Sequence, residues 1–152
     1  MLIGQKVNDA LNEQIGYEFS ASLQYVAITA YFEGEGLVEL ADLFHKQSDE
    51  ERDHAMRIVK YVIDAGGKLV IPPLPAPRAE FTDACDAIEL SLKSEQKVTQ
   101  QINSLVNLAI SEGDHITQNM LTWFVAEQLE EVSSMDTLLS VAKRASDNLL
   151  YV

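Results

Sequence analysis

All four prolines of this 152-residue chain fall between residues 72 and 77, inside the stretch KLVIPPLPAPRAE. Such a run cannot continue a helix, because proline lacks the donor N–H and clashes with the preceding turn; it favours an extended path. The run divides the chain into halves, and each half reads as a pair of helices. Apolar residues recur at helical spacing over four segments, about 3–32, 37–65, 80–111 and 114–144. EGEG (33–36) separates the first pair and EGD (112–114) the second, and breaks this short make the members of each pair antiparallel neighbours. GG (66–67) closes the second segment, with Gly66 suited to a left-handed cap. The proline connection is different, since roughly 13 extended residues reach ~40 Å. A helix of roughly 30 residues is about 45 Å long. The connection can therefore cross nearly the whole bundle and start the third helix parallel to the second. The expected fold is all-α: a single-domain four-helix bundle over residues 1–152 with one long crossover between helices 2 and 3.

A chain of this length buries its own core without disulfide or metal staples. The single Cys85 excludes an intramolecular disulfide and fits a reducing compartment. The opening MLIGQKVNDALNEQ has neither a basic n-region nor an apolar h-region, so no secretory signal is expected. No apolar run reaches the ~18 residues of a membrane span. The expected location is cytoplasmic. A net charge of −13, from 24 acidic against 11 basic residues, points away from nucleic acid and anionic membranes and towards cations.

The apolar stripes are interrupted in an informative way. Reading each segment in alternating steps of three and four places Glu18 among Leu11, Ile15, Ser22, Tyr25 and Phe32 in the first. Glu51 falls among Ala41, Phe44, Ser48, Ala55, Ile58 and Val62 in the second, with His54 one turn further on the same face. Glu95 interrupts Ile88, Leu92, Thr99 and Ile102; Gln128 and Glu131 interrupt Leu121, Phe124, Met135 and Leu138. Glu18, Glu51, Glu95 and Gln128 each lie near the midpoint of their own segment, so in a bundle they converge on one layer. Each unpaired buried charge costs several kcal/mol. No Lys or Arg falls on the seam at that level, and Arg52 and Lys97 are expected to point outward. A cation is the natural counterion. Oxygen ligands with one imidazole and no thiolate argue against a structural zinc site, and bridging carboxylates suit two metals that share Glu51. Zinc or manganese could take the same ligands in vitro. The alternative is a register one position off, with the glutamates reaching out to solvent.

LNEQIGYEFSASLQY (11–25), SDEERDHA (48–55), the glycine pair with its proline crossover, SEQKVTQQI (94–102) and WFVAEQLEE (123–131) together resemble the ferritins, most closely the non-haem bacterial ferritins. The resemblance covers essentially the whole chain. It implies that Glu18, Glu51 and His54 hold a first iron. Glu51 then bridges to a second iron held by Glu95, with Gln128 and Glu131 beside it. Tyr25 matches a tyrosine that the family uses in electron donation. Glu50, Glu127 and Glu130 match the third iron site of bacterial ferritins, although they also read as an exposed acidic patch. Bacterioferritins carry a second Glu-x-x-His on the fourth helix, where this chain has Gln128-Leu129-Glu130-Glu131. Their haem-binding methionine is replaced here by Arg52, so no haem is expected. The basic tails of the DNA-protecting mini-ferritins have no counterpart.

The chain also departs from the ferritin pattern. The fifth helix that usually follows is expected to be absent, since the sequence stops at NLLYV. Gln118 and Leu121 stand where animal ferritins line the three-fold channel with carboxylates. His45, His115 and Cys85 match nothing in the site and read as surface or packing residues. The resemblance implies a ferroxidase: Fe(II) is oxidised by O2 or peroxide at a di-iron centre and mineralised within a homo-oligomeric shell, a 24-mer. Two alternatives remain open at this point. One is a metal-binding shell without fast turnover; the other is a di-metal carboxylate oxidase that forms no cage.

Overall fold

The computed structural model describes residues 1–147, and four α-helices account for most of them: α1 (Gln5–Gly34), α2 (Val38–Asp64), α3 (Ala84–Ser111) and α4 (His115–Asp147). No strand occurs among the described residues. The question of a fifth helix falls beyond residue 147, outside the described residues.

Helix boundaries follow local chemistry. α3 starts at Ala84, later than its apolar periodicity suggests, because Asp83 caps it by accepting the Asp86 N–H at 2.7 Å. Asp114 does the same for α4, accepting from the Thr117 N–H at 2.9 Å. α1 starts at Gln5 rather than near Ile3; Ile3 is still buried in the core, while the neighbouring Leu2 N–H donates to the Ala65 carbonyl at 2.8 Å. Gly66 ends α2 with φ +75°, and the Gly67 N–H turns back to the Val62 carbonyl at 2.8 Å.

Between α2 and α3 the chain runs extended along α1. Asn8 and Asn12 both donate to the Lys68 carbonyl, at 3.1 and 2.9 Å, and accept from the Lys68 and Val70 N–H groups at 3.0 and 3.1 Å. Further along, Gln24 pairs with both backbone groups of Arg78, at 2.8 and 2.9 Å. These side chains supply partners that an isolated extended segment lacks. The direction of travel carries the chain from the start of α1 to its end, so α3 begins beside the start of α2 and runs parallel to it.

The core consists of two apolar clusters. One joins Leu11 and Ile15 to Ile58, Val62, Ile102, Leu121 and Phe124. The other joins Tyr25, Ile28 and Phe32 to Phe44, Ile88, Met135 and Leu139. Each takes one half of every helix, the arrangement that an antiparallel, parallel, antiparallel order requires. The polar layer lies between them.

Candidate metal centre

Glu18, Glu51, His54, Glu95, Gln128 and Glu131 reach this layer from all four helices and are between 0 and 5% exposed. Arg52 and Lys97 are exposed, as expected from the register. No lysine or arginine among the described residues forms an ion pair with these glutamates. The helix seams that bury Phe44 and Ile58, or Ile88 and Ile102, bury the intervening glutamates for the same geometric reason.

The ligand atoms converge. Those of Glu18, Glu51 and His54 lie within 4.8 Å of one another, and so do those of Glu51, Glu95 and Glu131. Glu51 belongs to both groups. Three buried atoms have no hydrogen-bond partner in the first group: Glu18 Oε2, Glu51 Oε2 and His54 Nδ1. His54 Nδ1 stands 3.3 Å from Glu51 Oε2 and 3.8 Å from Glu18 Oε2. Orphaned polar atoms facing one another in a dry interior are what a cation would satisfy.

Hydrogen bonds order the rest. Tyr25 donates its hydroxyl to Glu95 Oε1 at 2.6 Å, and Gln128 Nε2 donates to Glu95 Oε2 at 3.2 Å. Gln128 Nε2 is also 3.2 Å from Thr99 Oγ1. Trp123 packs edge-on against the His54 ring with centroids 5.3 Å apart, and the Arg57 guanidinium covers the indole at 3.8 Å.

Electrostatics follow from burial. Desolvation, and then the neighbouring Glu95 and Glu18, push the Glu51 carboxyl well above its usual range. Desolvation also raises Glu95, partly offset by the donors Tyr25 and Gln128. It raises Glu131 to about 8, with Glu95 adding to the effect. Burial lowers the His54 imidazole, but Glu18, Glu131 and Glu127 outweigh it and leave it raised. Tyr25 is raised well above the phenol range by burial and by Glu95. Without a metal the layer therefore holds protons in place of a cation.

The acidic residues assigned by resemblance to a third site lie at the edge of this layer. Glu50, Glu127 and Glu130 line a pocket of about 350 Å³ between α2 and α4, together with Glu131 and Lys46. Glu127 comes within 4.8 Å of the ligand atoms of His54 and Glu131. Glu50 and Glu130 join no such group among the described residues. His45 and His115 are exposed and Cys85 is half-buried, all outside the layer.

Two buried glutamines beside the layer lie off the apolar stripes. Gln14 donates to Glu18, and Gln47 donates to both Glu51 and Glu131. Each stands four residues before a buried glutamate, and that spacing was the signal available in the sequence.

Comparison with known proteins agrees with this architecture. The family model of the ferritin-like domain matches residues 8–145. Ferritin BfrB of Mycolicibacterium smegmatis is 42% identical over 147 residues, which cover 97% of this chain and 81% of that protein. The bacterial non-heme ferritin of Staphylococcus saprophyticus is 33% identical over 99% of this chain and 92% of its own length. An open-pore ferritin from the archaeon Archaeoglobus fulgidus superimposes with a TM-score of 0.94 at 31% identity, covering 97% of this chain and 90% of that one. None of the described helices is long and apolar enough to cross a membrane. With fold and sequence in agreement across the bundle, the chain belongs to the ferritin family.

Proposed function

We propose that the protein stores iron and that its buried layer is a ferroxidase centre. The observation that carries this reading is the convergence of Glu18 Oε2, Glu51 Oε2 and His54 Nδ1 as unpartnered atoms in a dry interior. Iron is the substrate. The first Fe(II) binds Glu18, Glu51 and His54; the second binds Glu51, Glu95 and Glu131, with Gln128 beside it. Each ion gives up one electron, so two Fe(II) reduce O2 to hydrogen peroxide with uptake of two protons, or peroxide to water. Anionic oxygen ligands favour Fe(III), the harder ion, and so drive the oxidation. Tyr25, hydrogen-bonded to Glu95, is placed to supply one further electron, leaving a tyrosyl radical, when only three Fe(II) are at hand for the four-electron reduction of O2 to water. Glu50, Glu127 and Glu130 form a third binding position at the edge of the layer. The Fe(III) passes to a mineral inside a cytoplasmic homo-oligomeric shell of 24 subunits.

Rapid mixing of Fe(II) with aerobic protein tests the centre. Glu51→Ala removes the shared ligand and is expected to slow oxidation by more than about 10-fold, the loss that even outer-shell changes produce at metal sites. Equal rates in the two proteins would remove the centre from this reading. Elution at the size of a single chain would remove the shell.

A further inference from the structure

Gln14 and Gln47 occupy equivalent places, four residues before Glu18 and Glu51 on adjacent helices. Gln14 Nε2 donates to Glu18 Oε1 at 3.2 Å, and Gln47 Nε2 donates to Glu51 Oε1 at 3.3 Å. In both carboxylates the other oxygen, Oε2, is left without a partner near His54 Nδ1. The amides thus divide each carboxylate into a held oxygen and a free one. Both glutamines are buried, 1% and 8% exposed, so their bonds are protected from exchange with water.

Gln47 has a second task. Its amide also donates to Glu131 Oε2, using both of its N–H groups. This bond joins α2 to α4 across the buried layer. Glu131 faces both the buried layer and the outer acidic pocket. The bond to Gln47 fixes it at that boundary. An amide suits the role because it donates without adding charge. A lysine at either position would neutralise the carboxylates and compete with the cation.

We propose that Gln14 and Gln47 are positioning residues that tune the two metal positions separately, Gln14 through Glu18 for the first and Gln47 through Glu131 for the second. Glu51 is shared, so the separation between these two positions comes from Glu18, which belongs only to the first, and Glu131, which joins Glu51 and Glu95 in the second. The inference rests on the two-metal reading above, and its test distinguishes failure of one from failure of the other.

The probe is Zn(II), which binds such ligands without redox chemistry. Crystals of the wild type and of Gln14→Met and Gln47→Met, equilibrated over a zinc concentration series, report occupancy at each position by anomalous diffraction. Gln14→Met is expected to raise the zinc concentration for half-occupancy at the Glu18–Glu51–His54 position by about 10-fold, the usual effect of losing an outer-shell partner. The Glu95–Glu131 position should change less than about twofold in that variant, whereas Gln47→Met should weaken the Glu95–Glu131 position by about 10-fold and the first position, through Glu51 alone, by clearly less. Gln14→Asn and Gln47→Asn keep a polar amide but shorten its reach, and they should repeat both patterns if a methionine variant fails to fold. Unchanged occupancies, or equal weakening at both positions in both variants, overturn the positioning role while leaving the two-metal centre in place. A wild type that takes up zinc at neither position overturns the centre and this inference with it.

Discussion

At the scale of single residues, Tyr25 shows how side chains in the layer serve packing and chemistry together. Its ring stacks in a tilted arrangement on Phe44, with centroids 5.8 Å apart, while its hydroxyl is held by Glu95. Tyr25→Phe keeps the ring and leaves Glu95 Oε1 without that donor. The expected loss is about 1–2 kcal/mol, read as a lower denaturation midpoint in urea with an unchanged slope. An unchanged midpoint would mean that the hydroxyl is worth nothing to the apo fold. The buried carboxylates of the layer were legible in the sequence, because a carboxylate inside an apolar stripe is conspicuous at Glu18, Glu51 and Glu95. Gln14 and Gln47 were not, because glutamine is an ordinary helix residue and both stand off the stripe. Gln47 also reaches across to Glu131 on α4, which periodicity does not encode.

Among the elements, the crossover is the least regular and among the most constrained. Gly16 lets it lie against α1: a Cβ there would stand 2.5 Å from Pro72 Cγ, an atom of a rigid ring that cannot swing away. Gly16→Ala is therefore expected to push the crossover off the helix and destabilise the protein by about 1–3 kcal/mol. Hydrogen exchange at Lys68 and Val70, whose N–H groups are held by Asn8 and Asn12, should accelerate in the same variant. Protection that survives intact would show that the contact is slack. The prolines announced the crossover and its length gave the topology. Its docking was invisible, because Asn8, Asn12 and Gln24 look like the polar face of an exposed helix until the extended chain is laid along them. The late start of α3 has a similar origin: Phe81 fits the apolar spacing, but Asp83 captures the Asp86 N–H and fixes the boundary.

For the whole molecule, the buried layer makes stability depend on pH and metal together. The folded state raises the carboxyl groups of Glu51, Glu95 and Glu131, the last to about 8. An unfolded glutamate titrates near ~4.3. Between those values the native chain holds protons that the unfolded chain has released, so stability falls as pH rises. The raised imidazole of His54 acts in the same direction, its contribution being lost as pH climbs through its folded value. Calorimetry of the metal-free protein should show Tm dropping by several degrees between about pH 5 and pH 8. Glu131→Gln should flatten that slope. Zinc should oppose it, because binding displaces the retained protons and becomes stronger as pH rises. A metal-free Tm that is flat or rising across this range would contradict the electrostatics described for the layer.

The two apolar clusters on either side of that layer have a consequence for how such a sequence can change over generations. Leu11, Ile58, Ile102 and Leu121 pack with one another, and Phe32, Phe44, Ile88 and Leu139 pack in the other half. Both halves touch the layer, one through Tyr25, which bonds Glu95, and the other through Phe124, packed edge-on against the His54 ring, so a volume change at those two residues is felt there. Drift is therefore expected to be freest at apolar positions far from the layer, where swaps that keep the volume are tolerated, and tightest at Tyr25 and Phe124.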